Sequence, residues 1–293
     1  MRKRKFRRQR TIFVMTTFLL MLLLAIGYAA FSTNINMNVK GNIKEMTASK
    51  YLKTNTVTTG DGLYKYIYED NRYDYKGATP NNYIMFNNEL WRIVAIESDN
   101  TLKIIRNEIL EDKEWDENDL NDWNIASLNI YLNSTYLDSI NSSDIVNHTW
   151  YIGKSNFDNK DLFDSIKEEK SETWGGKVGL INGTDYVKAN TNSSCNSVYA
   201  YRKDTNCYGD VSNYNWIYKD ILYNGDWIWT MSPNITNTHD ALVVENYSGG
   251  LNAGGYTNYK RTVVPVVFLS SNIVLNGEGS ASVPYTFVSV NNK

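Results

Sequence analysis

RYDYKGATPNNYIMFNNELWRIVAIE, residues 72–97, is the stretch of sequence that decides the fold. A polar turn that contains Pro80 leads into an aromatic, β-rich region, and Asn87-Asn88 divides that region in two. Two asparagines between β-rich segments are typical of a two-residue hairpin turn. Because successive side chains of a strand alternate between faces, we expect Trp91 to pack on the sheet and Arg92 to point to the opposite face. The stretch is therefore expected to serve the fold more than a functional site.

Outward from this hairpin, the chain alternates between strand and helix signals. Strands are predicted at 82–86, 89–97, 101–109, 177–181, 226–232, 241–247, 262–269 and 283–290. The first three are joined by short turns and predict an antiparallel meander. Apolar residues at helical spacing predict an amphipathic helix over 122–140, with Asp122 as a candidate N-cap, and a shorter helix over 161–170. With 190–215 as a long polar loop, the predicted fold class is α+β, a mostly antiparallel sheet with two or more helices.

Composition limits both the size of the fold and the partners of the chain. Its 293 residues suit one large domain or two smaller ones, and the 42% of hydrophobic residues supply a core. Residues 1–31 hold seven Lys/Arg and no acid, which leaves 23 basic and 32 acidic residues elsewhere, a net charge of −9. An acidic main part argues against nucleic acid as a partner.

The amino-terminal segment carries a membrane signal. The basic cluster MRKRKFRRQR precedes a run from Ile12 to Phe31 without a charged residue, enough for about 30 Å of helix. This length matches a bilayer core, and the positive-inside rule keeps the basic end in the cytoplasm. We expect a signal-anchor that stays in place, and the alternative is a signal peptide cleaved at Gly27-Tyr28-Ala29-Ala30.

Either fate places the main domain outside the cytoplasm, so we expect a single-pass protein of the cell membrane. The sequence then divides into a basic cytoplasmic tail at 1–10, a transmembrane segment at 11–31, a stalk at 32–59 and an extracellular α+β domain at 60–293. The membrane is the partner expected for the second of these parts.

The two cysteines suit an oxidising compartment. Cys195 and Cys207 enclose eleven residues, and closing a loop of that size contributes about 2–3 kcal/mol to stability. We expect a structural disulfide, because a catalytic thiol needs a nearby histidine and the chain has only two histidines. Free thiols are the alternative.

The sequence contains no motif that indicates catalysis, a metal or a cofactor. His148 and His239, with two disulfide-bonded cysteines, do not supply the three or four ligands of a zinc site. No G-x-S-x-G elbow supports a triad of Ser232, His239 and Asp240. Walker and G-x-G-x-x-G sequences are absent, so we expect no cofactor. The acidic stretch 111–123 is a solvated loop or, alternatively, a calcium site that lacks the glycine and terminal glutamate of an EF-hand.

Tryptophans near the carboxyl end give the clearest signal for binding. WIWTMSPN, residues 227–234, places Trp227 and Trp229 on one face of a predicted strand, and a Gly/Asn/Tyr loop follows at 246–260. Aromatic faces beside amide side chains are used in carbohydrate or peptide recognition. The alternative is that the two tryptophans belong to the core and that the loop is only a connection.

Six separated motifs resemble one domain family. RYDYKGATPNNYIMFNNELWRIV, SLNIYLN, WGGKVGLINGTDYVKA, NWIY, WIWTMSPN and VVPVVFLSSNIVLNGEGSASVPYTF together look like an uncharacterised domain family of exported proteins from Gram-positive gut bacteria. The resemblance covers residues 60–290 and implies export without implying an activity. Residues 25–44 also resemble export segments of Gram-positive surface proteins, some of which are cleaved before fibre assembly.

More remotely, the last third resembles a C-type-lectin-like fold, shared by formylglycine-generating enzymes and the variable receptor proteins of diversity-generating retroelements. In that plan a Trp-rich strand, a polar loop and a closing strand build a ligand-facing surface. The ligand-binding residues it implies here are Trp227, Trp229, Ser232, Asn234, Asn252, Tyr256 and Asn258. The Arg before Pro in the domain family is Val264 here, and the Asn of its final NPY is Val283. The paired active-site cysteines of the formylglycine enzymes are unmatched, so no oxidase chemistry is implied.

These observations predict a membrane-anchored extracellular binding or adhesion module that recognises a glycan or a peptide and performs no catalysis. A structural surface or fibre component that associates with copies of itself is the first alternative. The second is an enzyme that acts on cell-wall glycan or peptide. For that enzyme, the sequence does not single out the pair of carboxylates that glycoside hydrolysis needs.

Overall fold

A computed structural model of the chain describes residues 15–16, 21, 46–140, 143–223 and 226–288. The chain divides into two compact units, Met1–Lys44 and Glu45–Lys293, and the second unit contains both large sheets. Within the described residues, no helix combines the length and the apolar character that a bilayer crossing needs. The transmembrane segment expected at 11–31 lies outside the described residues, except for three positions.

The described part of the second unit mixes short strands and short helices. The strands are β1 (Gly62–Lys65), β2 (Tyr73–Lys76), β3 (Tyr83–Phe86), β4 (Glu89–Ile96), β5 (Leu102–Arg106), β6 (Asp112–Glu114), β7 (His148–Tyr151), β8 (Thr173–Gly176), β9 (Val178–Gly179), β10 (Ile228–Pro233), β11 (Asp240–Val244), β12 (Leu251–Tyr256), β13 (Lys260–Thr262), β14 (Val266–Leu269), β15 (Leu275–Asn276) and β16 (Thr286–Phe287). The α-helices are α1 (Ala48–Lys53), α2 (Ser127–Tyr131), α3 (Leu137–Ile140), α4 (Leu162–Glu169), α5 (Gly183–Lys188) and α6 (Val198–Lys203). A π-helical turn, Leu132–Tyr136, joins α2 to α3. The α+β class is confirmed.

The first sheet has seven strands, in the order β1-β2-β4-β5-β14-β9, and β3 also pairs with β4. Every pairing in this sheet is antiparallel. The expected meander is confirmed as β3, β4 and β5. Asn87 and Asn88 between the first two have φ of 54° and 60°, as a type I′ hairpin turn requires. Strand β1 forms one edge of this sheet.

The second sheet has the order β12-β11-β10-β13-β6. Its pairings are antiparallel, apart from a parallel contact between β10 and β13. Two small ribbons, β7 with β8 and β15 with β16, complete the pairings of the described strands. All six residues of β10 are buried, so both faces of this strand pack inside the domain.

The hairpin residues Trp91 and Arg92 divide their roles between the two faces of β4. Trp91 is fully buried in the hydrophobic core. The Arg92 guanidinium is also buried and lies 3.7 Å from the ring centroid of Tyr83 and 4.7 Å from that of Trp216. Its Nη1 donates to Asp220 Oδ2 at 2.5 Å. Burial lowers the pKa of Arg92, and the bond to Asp220 opposes this shift. Both residues therefore act in folding.

The compact unit begins earlier than the sequence predicted. Helix α1 lies inside the stretch 32–59 that was expected to form a stalk, yet Ala48 and Leu52 are buried in the core. The backbone N–H of Ala48 also donates to Ile273 O at 2.8 Å. A stalk would leave these side chains in water, and their burial in the core removes that apolar surface from solvent. The compact unit therefore includes α1, twelve residues before the boundary expected at residue 60.

The predicted polar loop at 190–215 contains helix α6. Ser197 Oγ accepts a hydrogen bond from Ala200 N at 3.1 Å and caps this helix, while Tyr201 is fully buried. Residues 246–260, also expected to be a loop, contain strand β12. In both stretches tertiary packing overrides a polar composition.

The long helix predicted from residue 122 begins at Ser127. Asp122 is not its N-cap, because Asp122 Oδ1 accepts from Asn124 N at 3.0 Å within a separate turn. Instead Asp116 Oδ1 accepts from Ser127 N at 3.1 Å and satisfies the start of the helix. The helix start is therefore set by a carboxylate that lies eleven residues upstream.

Candidate functional site

A groove of about 750 Å³ lies beside the edge strand β1. Four segments form its walls: 58–60, which precedes β1, 64–68, which continues β1, 160–162, which leads into α4, and 190–196, which leads into α6. Lys76 and Lys188 also line it. Its volume is typical of ligand sites, which span about 300–1,000 Å³. We call it the tyrosine groove.

The wall 64–68 has the sequence YKYIY, with a tyrosine at every second position. The rings of Tyr66 and Tyr68 meet edge-on, with centroids 5.6 Å apart, and the Tyr68 ring lies 5.7 Å from that of Phe163 at the start of α4. Tyr64 Oη donates to Gly60 O at 2.5 Å, which fixes its ring. Because Tyr68 is 53% exposed, it presents an aromatic face to solvent.

The wall 190–196 supplies amide and hydroxyl groups. Asn190 holds its shape, because Asn190 Nδ2 donates to Cys195 O at 2.9 Å. A disulfide joins Cys195 to Cys207, and both residues are fully buried. Ser193 and Asn196 remain exposed. The disulfide therefore anchors a wall on which Ser193 and Asn196 are exposed to a ligand.

Four lysines, Lys65, Lys76, Lys160 and Lys188, line the groove. Lys188 is buried and its Nζ lies 3.1 Å from an oxygen of Asp185. Among the residues that the structure describes, the other three form no ion pair. Three ammonium groups at this surface therefore have no carboxylate held against them.

The groove carries one carboxylate among its described lining residues, that of Asp161. Asp161 Oδ1 accepts from Phe163 N at 2.8 Å and caps α4. Burial lowers the pKa of Lys76, Asp74 opposes this shift and Lys188 adds to it. The groove is thus a positive region on a domain that is acidic as a whole.

Lys188 also belongs to a buried group of three cations and three carboxylates, the ionic cluster: Arg72, Lys103, Lys188, Asp74, Glu97 and Asp185. Asp185 lies at its centre. One of its oxygens is 2.5 Å from Lys103 Nζ, and the other is 3.1 Å from both Arg72 Nη2 and Lys188 Nζ. Each buried charge is matched by an opposite one, as burial requires.

The ionic cluster acts as a scaffold. Burial alone would raise the pKa of Asp185, but Lys103, Lys188 and Arg72 hold it well below its ordinary value. The cavity beside the cluster measures about 20 Å³, which is room for about one water molecule. The cluster is too closely packed to admit a larger ligand, and it fixes Lys188 at the groove.

Ser232 takes part in a second buried polar contact. Its Oγ donates to Glu169 Oε1 at 2.6 Å and accepts from Gly183 N at 2.9 Å. Burial raises the pKa of Glu169, and hydrogen bonds from Ser232 and Thr184 oppose the shift. The hydroxyl of Ser232 has both its partners inside the domain, so the contact holds α4 and α5 to β10.

Neither of the two histidines lines the tyrosine groove. His148 stacks on Phe268 with ring centroids 3.8 Å apart, and its Nε2 is 3.2 Å from Asp99 Oδ2. His239 Nδ1 is 2.7 Å from Asp119 O. Within the part of the chain that the structure describes, no three His, Cys, Asp or Glu side chains are grouped to hold a metal ion.

Three of the seven residues implied by the lectin resemblance, Trp229, Ser232 and Asn234, lie in the interior. Trp229 is 1% exposed, and its Nε1 donates to Lys113 O at 2.8 Å. Asn234 Oδ1 accepts from Thr236 N at 2.9 Å and shapes the turn after β10. Burial on both faces of β10 encloses Trp229 and Ser232, and Asn234 is buried in the turn that follows.

The other four lie at the surface or just below it. Trp227 is partly covered by Arg261, whose guanidinium is 4.9 Å from the ring centroid. Asn252 Nδ2 donates to Glu245 Oε1 at 2.6 Å. Tyr256 and Asn258, at the end of β12 and in the turn that follows, are exposed. None of the seven lines the tyrosine groove.

No protein-family model, no curated protein and no solved structure matches this chain. The chemistry of the groove is therefore the evidence that bears on function. Exposed rings stack, amides and hydroxyls form hydrogen bonds, and ammonium groups attract anions. The alternation YKYIY is the local pattern that could have indicated this site, whereas its lysines come from four separate segments that no local pattern connects.

Proposed function

We propose that the domain is a binding or adhesion module that recognises a glycan in the tyrosine groove and performs no catalysis. The observation that carries this proposal is the groove itself, where the exposed face of Tyr68 shares one concave surface with Ser193 and Asn196. An aromatic face beside amide and hydroxyl groups suits the mixed apolar and polar surface of a sugar.

A glycan suits the groove better than an extended peptide. A peptide would bind by adding a strand to the free edge of β1. That edge is already occupied in part, because Val57 N donates to Leu63 O at 2.9 Å and Thr56 forms a bridge with Leu63. Since β1 has only four residues, little free edge is left for a peptide.

The proposal places the domain outside the cell, anchored by residues 11–31. The basic end of the sequence, the uncharged run after it and the disulfide in the domain all support this location. A C-type-lectin-like arrangement is part of the same proposal. Its support is the order of strand β10, which contains Trp229, the polar stretch after it and the closing strand β14.

Self-association is a second candidate function, favoured by one surface. Tyr256 and Tyr259 are 49% and 52% exposed and meet edge-on, with ring centroids 5.5 Å apart. They flank the turn after β12, an edge strand of the second sheet. Exposed aromatic side chains beside a free strand edge are a common route to pairing between copies.

A glycan array probed with the full chain in non-ionic detergent tests the proposal. We expect specific binding that Tyr68→Ala weakens about tenfold, the effect of losing one aromatic contact. Tyr247→Ala is the matched control, since Tyr247 is 70% exposed and lies outside the groove. Binding lost in Tyr256→Ala and kept in Tyr68→Ala would move the site to the second sheet. No binding, with oligomers that grow with concentration, would favour self-association.

A further inference from the structure

The tyrosine groove combines cations with a scarcity of acids. It is lined by four lysines, and its one described carboxylate, on Asp161, already serves as a helix cap. The chain after residue 31 has a net charge of −9, so this excess of cations runs against the charge of the domain that carries it. Such a local field attracts anions, whereas most of the protein's own acidic surface repels them.

Among the four lysines, Lys76 gives the clearest evidence for a negative charge supplied by a ligand. It is only partly exposed, its Nζ lies 5.5 Å from the ring centroid of Tyr64, and no described carboxylate pairs with it. Asp74, the nearest acid in electrostatic terms, already gives its Oδ1 to Arg72 at 2.8 Å. A partly desolvated ammonium without a bound counter-ion leaves room for a charge supplied from outside.

A second observation at the same wall points in the same direction. Tyr66 is 6% exposed, and its hydroxyl has no hydrogen-bond partner among the described residues. Burial, followed by Asp74, raises the pKa of Tyr66, so its hydroxyl keeps its proton at neutral pH and remains a donor. The Nζ of Lys188 lies 5.5 Å from the Tyr66 ring. An unpaired donor on a ring that one ammonium group approaches matches the needs of an oxyanion.

We propose that the tyrosine groove selects anionic glycans, whose carboxylate or phosphate groups bind at Lys65, Lys76 and Lys160 while the sugar rings stack on Tyr68. This inference rests on the proposed glycan-binding function and adds the charge of the ligand. Lys65 and Lys160 are exposed on two different walls, so they meet charged groups along a chain rather than one isolated ion.

The test compares acidic ligands with their nearest neutral counterparts, by calorimetric titration of the full chain in non-ionic detergent. One arm uses an oligogalacturonide and its neutral methyl ester, and the other a phosphorylated and an unphosphorylated mannose oligomer. We expect at least one acidic ligand to bind about tenfold more tightly than its neutral partner and to lose that advantage in high salt. Comparison of the two arms separates carboxylate from phosphate as the source of the charge.

Variants locate the effect. Lys160→Gln and Lys76→Gln should each weaken the acidic ligand about fivefold and leave the neutral one unchanged. Lys160 is exposed, so its variant tests the idea even if Lys76→Gln disturbs folding. Lys260→Gln, an exposed lysine on β13 outside the groove, is the matched control and should change neither.

The outcomes distinguish a failure of the charge selection from a failure of the proposed glycan-binding function. Equal affinity for acidic and neutral oligomers would overturn the charge selection and leave glycan binding intact. If Lys260→Gln lowers the affinity for the acidic ligand and Lys160→Gln does not, the charge selection lies outside the tyrosine groove. Tighter binding of a polyglutamate peptide than of any sugar would overturn the ligand class, and binding of nothing would remove both proposals.

Discussion

Asp185 is the residue on which the interior charges depend. Its two oxygens bind Lys103, Arg72 and Lys188, and Lys188 in turn lines the tyrosine groove. Removing one member of a buried ionic group leaves its partners charged and unpaired, which costs more than the group itself contributes to stability. Asp185 therefore connects the stability of the domain to the geometry of its candidate site.

The first prediction concerns Asp185→Asn. We expect the free energy of unfolding to fall by about 3–5 kcal/mol, because three buried cations would then share two carboxylates. The folded-state pKa of Asp185 is depressed, so its contribution is present above the unfolded value of 3.8 and is lost as pH falls through the lower folded value. Urea titrations at neutral and acid pH measure this.

Asp70→Asn, an exposed aspartate near the same strands, is the control for that variant and should leave the urea midpoint unchanged. A stability of Asp185→Asn equal to that of the parent at neutral pH would contradict the role assigned to the ionic cluster. So would an unchanged acid limb of the stability curve, since the variant lacks the group that titrates there.

At the scale of elements, the candidate site is built between α5 and α6. Lys188 ends α5, Ser197 caps α6, and the wall 190–196 spans the short distance between them. The disulfide fixes this wall from inside through Cys195. The other cysteine of the bridge, Cys207, is held in place because its carbonyl oxygen accepts from Tyr214 Oη at 2.9 Å. Two short helices and one covalent link thus position the amide side of the groove.

The second prediction is for the double variant Cys195→Ser/Cys207→Ser. The closed loop is short, so its loss should lower the free energy of unfolding by about 3 kcal/mol. Ligand affinity should fall as well, because the wall 190–196 loses its anchor. Thermal unfolding with and without reductant measures the first effect, and reductant should change the parent alone. Ser194→Ala, an exposed position in the same wall, is the control, and a parent insensitive to reductant would contradict the prediction.

Local chemistry was sufficient to predict some elements. The meander followed from alternating side chains and from Asn87-Asn88, residues that tolerate the positive φ of a type I′ turn. A shorter helix was expected at 161–170, and α4 spans Leu162–Glu169 with Asp161 as its N-cap. These signals lie within a few residues of the elements they set.

The candidate site was not predictable in the same way. Alternation along β10 could not separate ligand-facing from core residues, because both faces of that strand are buried. The start of α2 depends on Asp116, which is distant in the sequence. The lysines of the groove converge only after β1, β2, α4 and α5 are packed, and a single sequence contains no record of that convergence.

At the scale of the whole molecule, charge is divided among three regions. The first ten residues are strongly basic, the run to Phe31 is uncharged, and the rest is acidic apart from the positive groove. This order suits a chain held at a membrane with its basic end inside, and an acidic domain that repels anionic surfaces except where its groove binds.

The last prediction is the location of the domain. In a bacterium bounded by one membrane, the full chain with a carboxyl-terminal tag should sediment with membranes, and protease added outside intact cells should remove the tag. Replacing the seven basic residues of the first ten by Gln should randomise the orientation, because the positive-inside bias would be lost.

Replacing seven exposed lysines of the domain is the matched control, since charge far from the segment has little influence on its orientation. A tag protected in intact cells would contradict export, and a secreted product that begins after Ala29 or Ala30 would decide for cleavage over anchoring.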